Sequence, residues 1–188
     1  MNRDEAWDIL CEYTKTEPLR KHALAVEAAM RAYARQYAGD EETWGIVGLL
    51  HDFDFEIHPN LEEHPAKGAE ILRRRGVPED IIYAVLCHAD HLGLERRTPM
   101  DRAIYAVDEL TGFVIAVALV RPSKSITEVD VAAVRKKMKD KGFARAVNRE
   151  DITKGAEQLD VDLDEHIAFV IEALKPVAKE LGIAGAAA

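Results

Sequence analysis

Helical spacing of apolar residues is the feature that most limits the fold of this chain. Between residues 19 and 33, apolar side chains recur at steps of three and four, and the same period returns in later segments. Prolines, glycines and capping residues separate these segments, whereas the alternating patterns of half-buried strands are scarce. We therefore predict an all-α fold in which helices follow one another almost from end to end.

Helix boundaries follow from prolines, glycines and caps. Pro18 marks a start at the first helical position, and Gly39 marks the end of that helix. Thr98 to Asp101 has the pattern of an N-terminal cap for a helix that continues to about residue 120. Ser125 and Glu128 form a second capping pattern, before a basic segment. The other predicted helices cover residues 7–14, 41–51, 65–76, 78–88, 143–147, 149–159 and 163–181, the last interrupted at Pro176, and the Ala-rich end, 184–188, is expected to fray.

Length and composition fit one globular domain, residues 1–188. Of the 188 residues, 48% are hydrophobic and 31% are charged, which is enough to bury a core without disulfides. Cys11 and Cys87 occur in no paired pattern, so a reducing cytoplasm is the expected location.

Membranes and duplex nucleic acid are not expected partners. The acidic N-terminus lacks a signal-peptide core, and the longest apolar run, residues 113–120, is shorter than the roughly 20 residues of a spanning helix. A net charge of −9 opposes binding to duplex nucleic acid, whose affinity comes largely from Lys and Arg on phosphates.

Histidines and carboxylates on apolar helix faces are the candidate functional residues. His51 and Asp52 end an apolar helix, His22 shares a face with Leu19 and Val26, and Asp108 lies on another apolar face. An inward polar group needs a partner, and a hydrogen bond would satisfy any one of them alone. Together they predict a cation site, whose mixed N and O donors suit Mn, Fe, Co, Ni or Zn, and Mg less well.

The order His22, His51-Asp52, Asp108 resembles the H…HD…D pattern of the HD superfamily of metal-dependent phosphohydrolases. Residues 49–52 are similar to its LLHD box, and residues 64–72 resemble the HPxxGxxIL helix start of its HDIG and HD-GYP branches. Residues 108–112 resemble a segment of one uncharacterised group within it. The resemblance implies an HD-type helical bundle, with a metal-binding core of about 19–120 and a C-terminal helical extension of about 121–183.

The resemblance also implies which residues hold metal. His22, His51, Asp52 and Asp108 would surround one ion; in two-metal relatives Asp52 would bridge to a second. His64 and His88 match the additional ligands, so one or two ions are expected. The chain has Cys87-His88 where the HD-GYP branch shows paired histidines, and it lacks the GYP signature, so a cyclic dinucleotide is not the expected substrate.

Further residues near these ligands are candidates for chemistry. Asp52 and Asp54 are close in sequence, and a carboxylate near a metal-bound water can act as a general base. His91 is a candidate acid on the substrate side or a group behind the ligands. Arg121 and Lys124, just after the helix of Asp108, are candidates for binding the substrate phosphate, although a solvated helix end explains them equally well. His166 lies far downstream and is expected to have no role in the site.

The predicted function is metal-dependent hydrolysis of a small phosphate ester, a nucleotide or related metabolite, by attack of metal-activated water. Both a phosphomonoesterase and a phosphodiesterase fit. The alternative is a non-catalytic, ligand-sensing HD-like domain that binds metal and nucleotide, but all four ligand positions are retained, which favours an enzyme. A structural metal site is least favoured, because such sites prefer thiolates. A homodimer is compatible with the sequence.

Overall fold

Helices make up the structure, a computed structural model that describes residues 1–185. We number them α1 (Arg3–Tyr13), α2 (Glu17–Gln36), α3 (Glu41–Leu50), α4 (Ala66–Arg74), α5 (Glu79–Leu86), α6 (Pro99–Leu119), α7 (Val131–Met138), α8 (Arg149–Leu159), α9 (Leu163–Leu174) and α10 (Ala178–Leu181). Short 3-10 turns lie at Asp90–Leu92, Ile126–Glu128 and Lys175–Val177. Residues 1–185 contain no β-strand, only an isolated bridge between Ser125 and Ala184. The all-α prediction is confirmed.

Helix α6 begins where its sequence predicts. The Thr98 hydroxyl accepts a hydrogen bond from the amide N–H of Asp101 at 3.1 Å, and the Asp101 carboxylate accepts one from the Thr98 amide at 2.9 Å. This reciprocal capping box satisfies two amide groups that have no partner inside the helix. Pro99 occupies the first turn, where a missing N–H costs nothing. The helix behind it runs through the core and is largely buried.

Helices α2, α3 and α6 form the centre of the fold. Two glycines permit close packing, one where α3 crosses α2 and the other where α8 crosses α6. A Cβ atom at Gly48 of α3 would come within 2.8 Å of the Cα atom of Glu27 on α2. A Cβ atom at Gly155 of α8 would come within 2.6 Å of the Cα atom of Ala106 on α6. Real Cβ contacts are not this short, so glycine is required at both crossings.

His166 lies outside the candidate site and has a structural role that the sequence did not indicate. Its side chain is buried on α9, where Nδ1 lies 2.6 Å from the Tyr33 hydroxyl of α2 and Nε2 lies 3.0 Å from the Ala106 carbonyl of α6. A carbonyl oxygen only accepts, so Nε2 carries the proton and Nδ1 accepts from the tyrosine. The neutral ring therefore ties α9 to the two long helices.

Most predicted helices are present, but residues 143–147 are not helical. The Arg149 guanidinium donates to the carbonyls of Phe143, Ala144 and Val147, and Ala144 has a positive φ of 40°. Those three carbonyls therefore accept hydrogen bonds from a side chain, where a helix would have them accept from backbone amides. Pro18 also lies one position later than predicted, since α2 begins at Glu17.

Two predictions near the chain's second half are only partly met. Ser125 caps the 3-10 turn at Ile126–Glu128, whereas α7 begins after its own cap, Asp130. Of the Ala-rich end, Ala184 pairs with Ser125, and residues 186–188 lie outside the described residues. Across residues 1–185, no helix combines the length and the apolar character needed to cross a membrane.

Candidate metal centre

Five segments bring six donor side chains to one place. His22 lies within α2, Asp108 lies within α6, and His51 is the C-terminal cap of α3, followed directly by Asp52. His64 lies in the turn before α4, and His88 lies two residues after the end of α5. The rings of His51, His64 and His88 are buried, and the remaining three side chains are half-buried. All of these donors except His51 line an open cavity.

The first cluster consists of His22, His51 and Asp108. The Nε2 atom of His22 lies 3.2 Å from Nε2 of His51 and 3.0 Å from Oδ1 of Asp108, and Nε2 of His51 lies 3.4 Å from the same oxygen. Oδ2 of Asp52 lies 3.5 Å from Nε2 of His51 and 3.9 Å from Nε2 of His22. Four donor atoms thus converge on one point.

The second cluster consists of Asp52, His64 and His88. The other oxygen of Asp52, Oδ1, lies 3.1 Å from Nε2 of His64 and 3.3 Å from Nε2 of His88. The two histidine nitrogens are themselves 3.1 Å apart. The carboxylate of Asp52 therefore lies between the two clusters, with Oδ2 facing the first cluster and Oδ1 facing the second.

Hydrogen bonds behind the rings fix which nitrogen faces each cluster. Nδ1 of His51 lies 2.8 Å from the Gly48 carbonyl, and Nδ1 of His88 lies 2.6 Å from the Val85 carbonyl. Both carbonyls belong to the last turn of a helix and so lack a partner within it. Because a carbonyl only accepts, Nδ1 carries the proton and leaves the Nε2 lone pair free to bind a cation.

Asp54 performs the same task for His64. The side chain of Asp54 is fully buried, and its Oδ1 lies 2.9 Å from Nδ1 of His64. A Cβ atom at Gly68 would come within 2.5 Å of the Asp54 carboxylate carbon, so the absence of a side chain there leaves room for this contact. Asp54 does not line the cavity. Its position suits orientation of a ligand rather than proton transfer to water in the cavity.

Electrostatic coupling within the clusters shifts several pKa values. Burial lowers the pKa of His51, but the charges of Asp52 and Asp108 outweigh it and raise the pKa to about 9. Burial likewise opposes the rise for His64, whose pKa Asp52 and Asp54 bring to about 9. Burial alone would raise the pKa of Asp52 and of Asp108, yet the neighbouring imidazoles lower both. The half-buried carboxylates of Asp52 and Asp108 are thus anionic and need positive charge beside them.

The donor set fits divalent metal ions. In each cluster, His22 with His51 and Asp108, and Asp52 with His64 and His88, one donor atom per residue lies within 4.8 Å of the others. Ligand bonds to a first-row ion are about 2.1 Å long, so two ligands on one ion lie roughly 3 Å apart. The observed spacings of 3.0–3.4 Å within the clusters match this value. Histidine and carboxylate are also the donor types that these ions bind.

A cavity of about 540 Å³ opens over the clusters. Its other walls come from the turns after α3, from α6, and from α8 with the segment before it, and they include Phe55, Leu61, Tyr105, Val147 and Asp151. His91 is exposed at the edge of this cavity, in the 3-10 turn after His88. Of the proposed catalytic residues, Asp52 and His91 therefore border the cavity.

Arg121 and Lys124 do not line this cavity, so the prediction that they bind the substrate phosphate is not supported by their positions. Arg121 follows Asp108 by thirteen residues, and a helix rises 1.5 Å per residue, which separates them by about 20 Å. Arg121 instead borders a separate depression near α7. Residues that are near one another in sequence can therefore lie far apart in space when a long helix separates them.

Three side chains of the cavity wall, Glu109, Tyr105 and Asp151, were not predicted as site residues from the sequence. Burial and then the charge of Asp108 raise the pKa of Glu109 to about 7. Tyr105 precedes Asp108 by one helical turn, so its place on the same face was readable from helical spacing. Asp151 accepts a hydrogen bond from the Tyr105 hydroxyl at 2.9 Å, but it comes from α8, and no local pattern indicated it.

Comparison with known proteins identifies the family. The family model of the HD domain matches residues 19–112, half of the chain. Ribonuclease Y of Oleidesulfovibrio alaskensis is 27% identical over 93 residues, which are 49% of this chain and 18% of that protein. The chain therefore spans under a fifth of that relative's length. No solved structure matches. The six donor residues all lie inside the matched segment, and the chain belongs to the HD domain family of metal-dependent phosphohydrolases.

Proposed function

We propose that the chain is a metal-dependent phosphohydrolase that acts on a small phosphate ester. The observation that carries this proposal is the carboxylate of Asp52, whose two oxygens face two clusters of histidine and carboxylate donors at the floor of one cavity. Many hydrolases catalyse phosphoryl transfer with two metal ions that are held a few ångströms apart. A nucleotide or related metabolite is the substrate class that we propose, as a monoester or a diester.

Each donor has a proposed part. His22, His51 and Asp108 would hold one ion, His64 and His88 the other, and Asp52 would contact both. Mn, Fe, Co, Ni or Zn suits these donors, and Mg suits them less well. Such ions supply an activated water and stabilise the charge that develops on the phosphoryl oxygens. Within the described part of the chain, residues 1–185, no Lys or Arg lines the cavity, so the ions would carry most of that stabilisation.

Other residues would assist without contacting the ions. The buried carboxylate of Asp54 keeps Nε2 of His64 directed at its cluster, a positioning role. His91, exposed at the cavity edge, is placed to protonate the leaving group of a bound ester. Cytoplasmic location fits the two free cysteines, and a homodimer remains a prediction.

The test is phosphate release from a panel of nucleotides and sugar phosphates, with Mn, Co, Ni or Mg added. Wild type is compared with Asp52→Ala, in which both clusters lose a donor. We expect turnover of a few related compounds by the wild type and a loss of both metal and turnover in the variant. Metal content and phosphate release that are unchanged in Asp108→Ala would contradict the ligand assignment. No release from any compound, with metal bound, would favour the ligand-sensing alternative.

A further inference from the structure

Gly112 is a glycine that packing does not explain. It lies inside α6, one turn after Asp108, where alanine would give a more stable helix. Among residues 1–185, a Cβ atom at Gly112 would meet only Nδ1 of His22, at 3.9 Å. Gly48 and Gly155, by contrast, are held against the backbone of a neighbouring helix. The absence of a side chain at residue 112 thus leaves open space and does not serve the close approach of a neighbouring helix.

That space borders two cavities. One is the cavity over the metal centre, and the other is a groove of about 440 Å³ between the start of α2, the middle of α6 and the end of α10. His22 and Gly112 line both. The groove is otherwise lined mainly by apolar residues, among them Pro18, Ile115 and Leu119. A side chain at residue 112 would project into the junction.

The two directions away from the metal centre differ in chemistry. Toward α8, the wall of the metal cavity carries polar groups: Asp90 pairs with Arg96 and Lys154, and Asp151 accepts a hydrogen bond from Tyr105. Toward α10, the groove has an apolar surface, with Leu119 exposed at 44%, and Lys21 at its rim paired with Glu17 at 2.6 Å. Apolar surface gains free energy when a ligand removes it from water. The wall toward α8 thus offers hydrogen-bonding groups, whereas the groove favours an apolar group.

The distal nitrogen of His22 also faces this junction. Nδ1 of His51, His64 and His88 each lies at hydrogen-bond distance from a carbonyl or carboxylate of the protein. Within residues 1–185, Nδ1 of His22 makes no such contact and lies beside the open space over Gly112. Metal-bound histidines normally donate from this nitrogen. An oxygen of a bound ester, or water, can accept there.

We infer that Gly112 is a specificity-determining residue, and that the groove binds the organic part of the substrate. The inference rests on the proposed hydrolase function and narrows its substrate class to phosphate esters whose organic part, such as the base of a nucleotide, presents a bulky and largely apolar surface. The phosphate lies at the metal centre, the organic group passes over Gly112, and the groove of Pro18, Ile115 and Leu119 receives it.

The experiment compares 1-naphthyl phosphate with methyl phosphate in the presence of Mn²⁺. The proteins are the wild type, Gly112→Ala, Gly112→Leu and a control, Ala132→Leu, which places the same leucine side chain at an exposed position of α7 outside both cavities. In Gly112→Leu we expect the ratio of kcat/KM for the naphthyl over the methyl ester to fall by about tenfold or more. The ratio should not change in Ala132→Leu, and Mn²⁺ content should stay equal in all four proteins.

Thermal unfolding provides the second readout. Gly112→Ala should raise Tm, because it improves helix propensity without a clash, and it should lower the naphthyl-to-methyl ratio by less than leucine does. An unchanged ratio in Gly112→Leu would overturn the inference. A lower Tm in Gly112→Ala would show that packing requires the glycine and would overturn it as well.

Failure of the proposed function can be told apart from failure of this inference. If the wild type hydrolyses neither ester, the proposed hydrolase function fails for this class, and calorimetric binding of the same two compounds tests the groove by itself. Tighter binding of 1-naphthyl phosphate in the wild type, lost in Gly112→Leu, would support the groove. Equal affinities for both compounds in the wild type would overturn it.

Discussion

Protonation of His166 should set an acid limit on the stability of the fold. Burial lowers the pKa of His166 from 6.5 to about 4, although its bond to the Ala106 carbonyl opposes this shift. Between these two values the unfolded chain binds a proton that the folded chain does not. The stabilisation is therefore complete above about pH 6.5 and is lost as the pH falls toward 4.

The magnitude follows from these two values. Each unit of pKa difference is worth about 1.4 kcal/mol, so the folded state loses about 3 kcal/mol over the full range. Between pH 7.5 and pH 5.0 the loss is about 2 kcal/mol, a sizeable fraction of the 5–15 kcal/mol that is typical of domains. The cost arises because burial keeps water from solvating the protonated ring.

The measurement is urea unfolding of the wild type and of His166→Gln at pH 7.5, 6.0 and 5.0, followed by tryptophan fluorescence. Glutamine keeps one donor and one acceptor but does not titrate. We expect His166→Gln to be less stable than the wild type at pH 7.5, and this deficit to shrink by about 2 kcal/mol at pH 5.0. Other acid-sensitive groups cancel in the comparison. Free energies of unfolding that fall in parallel for both proteins would refute the reasoning.

Two further predictions concern the metal centre. Neighbouring carboxylates outweigh burial and raise the pKa of His51 and of His64 to about 9. Mn²⁺ binding at pH 7.5 should therefore release about two protons, and the affinity for Mn²⁺ should increase as the pH rises toward 9. Calorimetry in buffers of different ionisation enthalpy measures both quantities, and an affinity that does not depend on pH would contradict the pKa shifts. Asp54→Asn should weaken metal binding beside His64 by about 10- to 100-fold and leave the other ion bound, which metal analysis after dialysis would detect; full retention of both ions would exclude the positioning role.

Local chemistry decided which parts of the fold the sequence could predict. The cap of α6 was readable because Thr98 and Asp101 satisfy each other's backbone amides within four residues. Residues 143–147 have helical spacing, but Arg149, from the next helix, takes their carbonyls. His166 could not be assigned a role, since its partners lie on α2 and α6, far away in sequence. The division of the chain near residue 121 remains a prediction.

The same distinction applies to the candidate site. His51 and His88 each follow the last turn of a helix and reach back to a carbonyl three residues earlier, so local sequence determines both the ring's orientation and the nitrogen that it presents. Asp54 illustrates the opposite case. Its spacing from Asp52 suggested a catalytic base, but its direction depends on the space left by Gly68 of another helix, which no local pattern encodes. Donor residues at helix ends are therefore predictable from sequence, whereas the groups behind them and the cavity walls depend on how the helices cross.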